Sequence, residues 1–185
     1  MGELTGVLLA AGFGTRFGAH KLLARSGGRP LIAHSAAALT PCERRVAVVR
    51  GEDDTLQREL QAIGIACIVN PQPTRGMGYS IACAVRATSG STGWCILPAD
   101  MPWVRVATTG RIVEALRGGA LLAAPFYRGR RGHPVGFAAR FEQELSRLDG
   151  DAGGRLVLHR HAEALTAIAT DDPGVLRDVD SPSDL

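Results

Sequence analysis

The sequence predicts an α/β protein built on a doubly wound, mainly parallel sheet, and three observations carry that expectation. Short apolar runs alternate with helix-compatible stretches at a spacing of roughly 20–30 residues, as strand–helix units do. The first of these runs, TGVLLA, shows no polar alternation, as expected of a strand covered on both faces. Several runs end at glycine, asparagine–proline or proline–alanine–aspartate, which suits turns at the carboxyl ends of strands.

Taken in order, residues 5–10 form the first expected strand, followed by a loop carrying Gly12, Gly14 and Gly18. A helix is expected from Pro30, because proline suits a first helical turn and Leu31, Ile32, His34, Ser35 and Ala38 share a face. Residues 45–50 read as a second strand. Residues 53–63 read as a helix with Asp53 or Asp54 as cap and Leu56, Leu60 and Ile63 as its stripe. A third strand at 65–69 stops at Asn70-Pro71, and 76–87 is helical. Residues 93–97 form a fourth strand running into Pro98-Ala99-Asp100-Met101-Pro102, followed by a helix at 104–116 and a strand at 120–124. After Tyr127 the rhythm breaks, and 127–137 is expected as an antiparallel hairpin over one sheet edge. Short helices at 141–148 and 153–161 and a strand at 165–169 complete the reading. No internal repeat or long linker interrupts the chain, so one domain over residues 1–185 is expected.

Composition narrows the class. At 45% hydrophobic and 21% charged residues, the chain is ordinary for a globular α/β protein. No apolar run reaches the ~18 residues of a membrane-spanning helix, and the first residues lack a basic leader, so a soluble, cytoplasmic protein is expected. The net charge of +3 is too small to imply nucleic acid as a partner. The cysteines Cys42, Cys67, Cys83 and Cys95 form no Cys-x-x-Cys pair and are expected as reduced thiols. Lys21 is the single lysine among 21 basic residues, and it stands in the glycine-rich loop. An ammonium is a compact point charge where a guanidinium is a planar fork, so the two are not interchangeable at a crowded phosphate site.

Ligands bind beyond the carboxyl ends of strands in an open α/β sheet, and the candidate motifs lie there. The loop after the first strand is not a dinucleotide fingerprint, because Gly18 falls one residue too late after Gly12 and Gly14. It is not a Walker loop either, since His20-Lys21-Leu22 stands where Gly-Lys-Ser/Thr is needed. What remains is a glycine loop whose backbone N–H groups can face phosphate, with Arg16 and Lys21 to neutralise charge; the alternative is a plain surface turn. Asp100, between two prolines just past an apolar strand, is placed to hold a divalent ion, for which one or two carboxylates plus phosphate oxygens and water suffice. Asp180 is the candidate second ligand. In an extended segment the Asp178-Val179-Asp180 spacing puts both carboxylates on one face, the alternative being a solvated turn. His133, beside Arg131 in the basic hairpin, is either an anion-binding group or a turn histidine, and Arg155 is a further candidate for the same anion. His159 and His161 point to different sides of a helix and make a poor metal pair.

Together these motifs resemble a family. Leu9-Ala10-Ala11-Gly12-Phe13-Gly14-Thr15-Arg16-Phe17-Gly18 with Lys21 is similar to the signature loop of the NTP-transferase superfamily, L-A-[AG]-G-x-[SG]-[ST]-R-x-G followed by lysine. Asn70-Pro71 with Gly76-Met77-Gly78-Tyr79-Ser80 resembles its base- and ribose-binding segment, and Pro98-Ala99-Asp100-Met101-Pro102 its metal-binding strand end. Gly132-His133-Pro134, Gly150-Asp151-Ala152-Gly153-Gly154-Arg155 and Asp178-Val179-Asp180-Ser181-Pro182 resemble the branch making molybdenum cofactor dinucleotides. Within it, Ala11 and Gly-His-Pro lean toward the cytidylyltransferases. Gly14-Thr15, Phe17 and Gly78-Tyr79 depart from residues common in that branch.

The resemblance implies a Rossmann-like nucleotidyltransferase that moves CMP from CTP to the phosphate of molybdenum-bound molybdopterin and releases pyrophosphate. It implies Arg16 and Lys21 as catalytic residues, and Leu9, Ala10, Ala11, Gly12, Gly14, Thr15, Lys21, Asn70, Gly78 and Ser80 as nucleotide-binding. Asp100 and Asp180 would hold Mg²⁺, with Mn²⁺ as a substitute; His133, Arg131 and Arg155 would meet the acceptor. A client molybdoenzyme is a further implied partner. The competing readings are transfer to a sugar 1-phosphate or phospho-lactate, a GTP-using guanylyltransferase, and a non-catalytic molybdoenzyme chaperone.

Overall fold

A computed structural model describes residues 2–12 and 21–184. Gly14, Thr15 and Arg16 of the expected nucleotide loop lie outside the described residues. Strand β1 (Leu4–Leu9) is nearly all buried, as its unbroken apolar run requires. A two-stranded hairpin, β2 (Arg25–Ser26) and β3 (Arg29–Pro30), follows; Gly27 and Gly28 form its turn at φ +58° and +80°, backbone that glycine adopts without steric cost. The sequence reading had left this hairpin out, although Gly-Gly is its usual local signal. Helix α1 (Leu31–Ala38) buries Leu31, Ile32, Ser35 and Ala36, while His34 Nε2 lies 2.9 Å from the Ser26 carbonyl.

Strand β4 (Arg44–Arg50) leads to helix α2 (Asp54–Ala62), whose first turn is capped by Asp53 accepting from the Leu56 amide. Strand β5 (Ala66–Asn70), helix α3 (Gly76–Ala87), strand β6 (Gly93–Pro98) and helix α4 (Val106–Arg117) continue the alternation. Then come β7 (Leu122–Tyr127), β8 (Arg130–Arg131), β9 (Val135–Ala138), α5 (Glu142–Leu145), α6 (Arg155–Arg160) and β10 (Leu165–Ala169).

The main sheet has eight strands in the order β10-β7-β9-β6-β1-β4-β5, with β8 paired to β7. The β1–β4, β4–β5, β1–β6 and β7–β10 pairs are parallel. Strand β9 is antiparallel to both β6 and β7. This corrects the expected hairpin over an edge: only β8 folds back on β7, while β9 enters the sheet between β6 and β7. In that place β9 pairs its backbone on both sides, leaving no open edge, and Val135 and Phe137 are buried.

Two apolar clusters sandwich the sheet. One packs Leu8, Ile32, Leu39, Leu56, Leu60, Leu97 and Ile112 on one face. The other packs Val7, Ile81, Trp94, Ile96, Phe137, Leu145 and Leu158 on the opposite face. All four cysteines are free thiols, three of them buried. Among the described residues, no helix is long and apolar enough to cross a membrane.

Strand order reverses at β1, which has β4 on one side and β6 on the other. A reversal of this kind opens a crevice at the carboxyl ends of the strands, and β1 and β6 deliver Ala11, Gly12 and Asp100 to it.

Candidate active site

The crevice is a cavity of about 580 Å³ whose lining includes Leu9, Ala11, Gly12, Met77, Ser80, Asp100 and Asp178. Its floor is made by backbone already committed to the sheet. The Ala10 N–H donates to the Val48 carbonyl at 2.9 Å, and the Ala99 N–H to the Leu9 carbonyl at 3.0 Å. Ala10 is thereby a buried support, its amide unavailable to a phosphate, whereas Leu9, Ala11 and Gly12 face the cavity.

Lys21 opens a short 3-10 turn and is only 9% exposed. Its Nζ donates to Asp100 Oδ2 at 2.8 Å and lies 3.7 Å from Asp180 Oδ1. Asp180 is brought there by its neighbour: the Val179 amide donates to the Asp100 carbonyl at 2.9 Å, and the Val179 side chain is fully buried. With Val179 turned inward, Asp178 and Asp180 are both exposed, as their spacing predicts for an extended segment. Asp178 lines the cavity and Asp180 joins Lys21. Two carboxylates around one cationic point make a hard-oxygen donor set suited to Mg²⁺ or Mn²⁺, provided phosphate oxygens and water complete the shell. Among the described residues no group of three or more His, Cys, Asp or Glu is placed to hold a metal.

The segment after β5 meets the cleft indirectly. Asn70 is buried; its Nδ2 donates to Ser80 Oγ at 2.9 Å and its Oδ1 accepts from the Gln72 amide at 2.8 Å. Ser80 lines the cavity and Asn70 fixes its hydroxyl. Gly78 has a different duty from the expected nucleotide contact. It is buried under the turn at Asp149, and a Cβ on it would come within 2.6 Å of the Asp149 carbonyl. Its N–H donates to the Gly150 carbonyl at 2.8 Å. Gly78 therefore lets the 149–151 turn lie on α3, with Asp151 reaching the cavity lining. Arg75 clamps the same turn through Asp149 and stacks 4.1 Å from the Tyr79 ring centroid.

A second cavity of about 320 Å³ shares Leu9, Met77, Arg131 and His133 with the first. Its walls are mostly apolar, including Ile81, Ile96, Val135, Phe137 and Leu158, and Arg155 lines it at the start of α6. The three expected acceptor residues thus converge. Neither Arg131 nor Arg155 has a carboxylate ion-pair partner among the described residues. Burial, then the charges of Arg131 and Arg155, push the His133 pKa down to about 4 against the opposing pull of the Ile96 carbonyl and Asp100. His133 is a neutral ring at neutral pH, so the arginines carry the positive charge here. Its Nδ1 is enclosed without a hydrogen-bond partner among the described residues.

Several site residues escaped the sequence reading: Met77, Asp151, Val175 and Leu176 line the large cavity. The Gly150–Gly154 motif pointed at Asp151, but Val175 and Leu176 carried no local signal. Asp172, by contrast, is structural. It accepts from the Arg105 amide at 2.8 Å and the Thr108 hydroxyl at 2.7 Å, capping α4 from afar.

Comparison with known proteins gives the family. GlmU, a bifunctional protein of Novosphingobium aromaticivorans, is 32% identical over 167 residues, covering 87% of this chain and 35% of that protein. The chain therefore spans about a third of that relative's length. Nicotine blue oxidoreductase of Paenarthrobacter nicotinovorans is 29% identical over 188 residues, covering 96% of this chain and 92% of that protein. The crystal structure of Rv0371c from Mycobacterium tuberculosis superposes with a TM-score of 0.85 at 25% identity, covering 99% of this chain and 95% of that one. A manganese complex of Rv0371c superposes at 0.80 with 24% identity, covering 98% and 95%. The sequence profile of the MobA-like NTP transferase domain matches residues 6–165, most of the chain. The chain belongs to the MobA-like NTP transferase domain family.

Proposed function

We propose that this protein is a metal-dependent cytidylyltransferase that transfers CMP from CTP to the phosphate of molybdenum-bound molybdopterin, releasing pyrophosphate. One observation carries the reading: a nucleotide-sized cleft lined by Asp100, which is paired with Lys21, adjoins a ring-sized apolar chamber bearing two arginines without described carboxylate partners. A triphosphate in the first and a phosphorylated ring compound in the second would meet between Lys21 and Arg131.

The acceptor phosphate is already anionic, so its oxygen can attack the α-phosphorus without a strong general base. The bond from that phosphorus to the β-phosphate oxygen breaks, and the electrons leave with pyrophosphate. Positioning and preorganised positive charge supply the acceleration. Arg131 and Arg155 hold the acceptor phosphate, Arg16 and the loop amides the leaving group, and Lys21 the reacting phosphate. Asp100 and Asp180 would hold Mg²⁺ or Mn²⁺, whose bound charge polarises the phosphate oxygens.

A sugar 1-phosphate acceptor is the second reading, favoured by the GlmU relative. The chamber argues against it, because sugar hydroxyls buried against Ile96, Val135, Phe137 and Leu158 would lose hydrogen bonds to water at about 1–3 kcal/mol each. Incubation with each NTP, Mg²⁺ and molybdenum-bound molybdopterin, followed by pyrophosphate release, tests the reading. CTP-dependent release is expected. Release with GTP instead would reassign the base, release only with a sugar 1-phosphate would reassign the acceptor, and no release with any NTP would remove the enzyme reading.

A further inference from the structure

The floor of the cleft carries a cation of its own. Lys21 Nζ lies between the two carboxylates proposed above to hold a divalent ion, 2.8 Å from Asp100 and 3.7 Å from Asp180. The Lys21 backbone is held in place, its carbonyl accepting from the Ala24 amide at 3.1 Å, and Leu22 and Leu23 pack on the core. A side-chain rotation about this turn is enough to displace the ammonium.

An ammonium and a divalent ion against the same two carboxylates repel each other, because like charges a few ångströms apart in a half-buried site interact strongly. Loading the metal therefore works against the Lys21 position. Expelled alone, it would lose its carboxylates with no anion to receive it, a heavy cost for a charge that is mostly buried. A triphosphate in the cleft supplies that anion. A triphosphate arriving without the metal meets Lys21 already bound to Asp100, and Asp178 and Asp180 stand at the rim as like charges.

We infer that Lys21 is a resident substitute cation for the metal site, so that the divalent ion and the nucleotide bind as one unit and neither binds tightly alone. Ion-pair exchange is the device: Lys21 passes from carboxylate to phosphate as the metal takes its place. This rests on the metal reading of Asp100 and Asp180. Coupling of this kind is reciprocal, each ligand strengthening the other by the same factor, typically about 5–150-fold.

The test uses Mn²⁺ alone, without nucleotide, titrated into the whole protein and followed by the electron paramagnetic resonance signal of free Mn²⁺. Lys21→Met removes the ammonium and keeps the length of the side chain. It is expected to bind Mn²⁺ about tenfold or more tightly than the native protein, by removal of a coupling of that size. Adding Asp100→Asn should abolish the gain and so locate the ion. Lys21→Gln, with a melting curve on each variant, serves if Lys21→Met does not fold. Equal or weaker Mn²⁺ binding in a folded Lys21 variant overturns the inference, as does a gain that survives Asp100→Asn. The two readings fail separately. Native protein that transfers no CMP while Lys21→Met gains Mn²⁺ sinks only the proposed function; transfer without the gain sinks only the exchange.

Discussion

The two chambers of the cleft hold their charges in opposite ways. Under the nucleotide side, Lys21 is paired with Asp100 and reaches Asp180. In the apolar chamber, Arg131 and Arg155 have no carboxylate ion-pair partner among the described residues, and burial, then their charges, hold the His133 pKa down. One side is already neutralised and, on the exchange inferred above, would trade partners to bind; the other presents arginines with no described carboxylate to give up. Mutations on the first side should therefore strike the reaction, and those on the second should strike capture of the acceptor.

The largest effect is expected for Asp100→Asn. It should lower kcat by roughly 10²–10³-fold, the scale of losing one preorganised charge from a transition state, and lower the melting temperature as well, because the mostly buried Lys21 loses its carboxylate partner. Lys21→Arg should fall by a similar factor, because a forked guanidinium does not fit where a 9%-exposed ammonium sits. Near-native rates in both would remove the contrast between the chambers. Next, Arg131→Ala should raise the acceptor KM about 10–100-fold, as loss of a charged hydrogen bond implies, with the CTP KM within about twofold of native. Arg155→Ala should act in the same direction. A shift in the CTP KM instead would show that the arginines serve the triphosphate.

Smaller effects separate scaffolding from chemistry. Gly78→Ala should cost about 1–3 kcal/mol in urea unfolding, since its Cβ would press on the Asp149 backbone. Unchanged stability would mean that the 149–151 turn yields freely. The smallest effect concerns His133, whose folded pKa of about 4 lies below its usual 6.5. The unfolded chain gains the proton first as pH falls, so stability drains from about pH 6.5 downward and the loss is complete below pH 4. Between pH 7 and 5, His133→Asn should recover on the order of 1 kcal/mol of this acid-side loss. A variant whose stability falls as steeply as native would place the acid sensitivity elsewhere.

What was readable in the chain follows from how local each signal is. The run TGVLLA and the prolines around Asp100 are contiguous, so β1 and the end of β6 could be anticipated from chemistry at a few adjacent positions, whereas the pairing of Lys21 with Asp100, 79 positions away, could not. The Asp178–Asp180 face was readable for the same reason, once the segment was taken as extended. The insertion of β9 between β6 and β7 was not, because strand order depends on partners far along the chain. Gly78 misled in an instructive way: a glycine in a family-like segment suggested a ligand, whereas its neighbour is the chain's own backbone at Asp149. Val175 and Leu176 reach the cleft only through the packing of the segment between β10 and Val179, which no local pattern announces. Arg16, Gly14 and Thr15 stand outside the described residues, so the loop is represented in the site by Ala11, Gly12 and Lys21.

The hydrogen bond from the Val179 amide to the Asp100 carbonyl joins a late segment of the chain to the carboxyl end of the central strand β6. Lys21 and Asp100 are themselves 79 positions apart. The pocket is thus made of contacts with long sequence separation, and closing such loops costs entropy before any contact offsets it. Local opening of this kind, without unfolding of the sheet, is the event to look for. Val179 is buried by its side chain but tethered by one peptide bond's hydrogen, so exchange of that hydrogen with solvent reports opening of the pocket separately from denaturation. A bound substrate would slow that exchange in proportion to its affinity, giving a residue-level binding assay that needs no turnover.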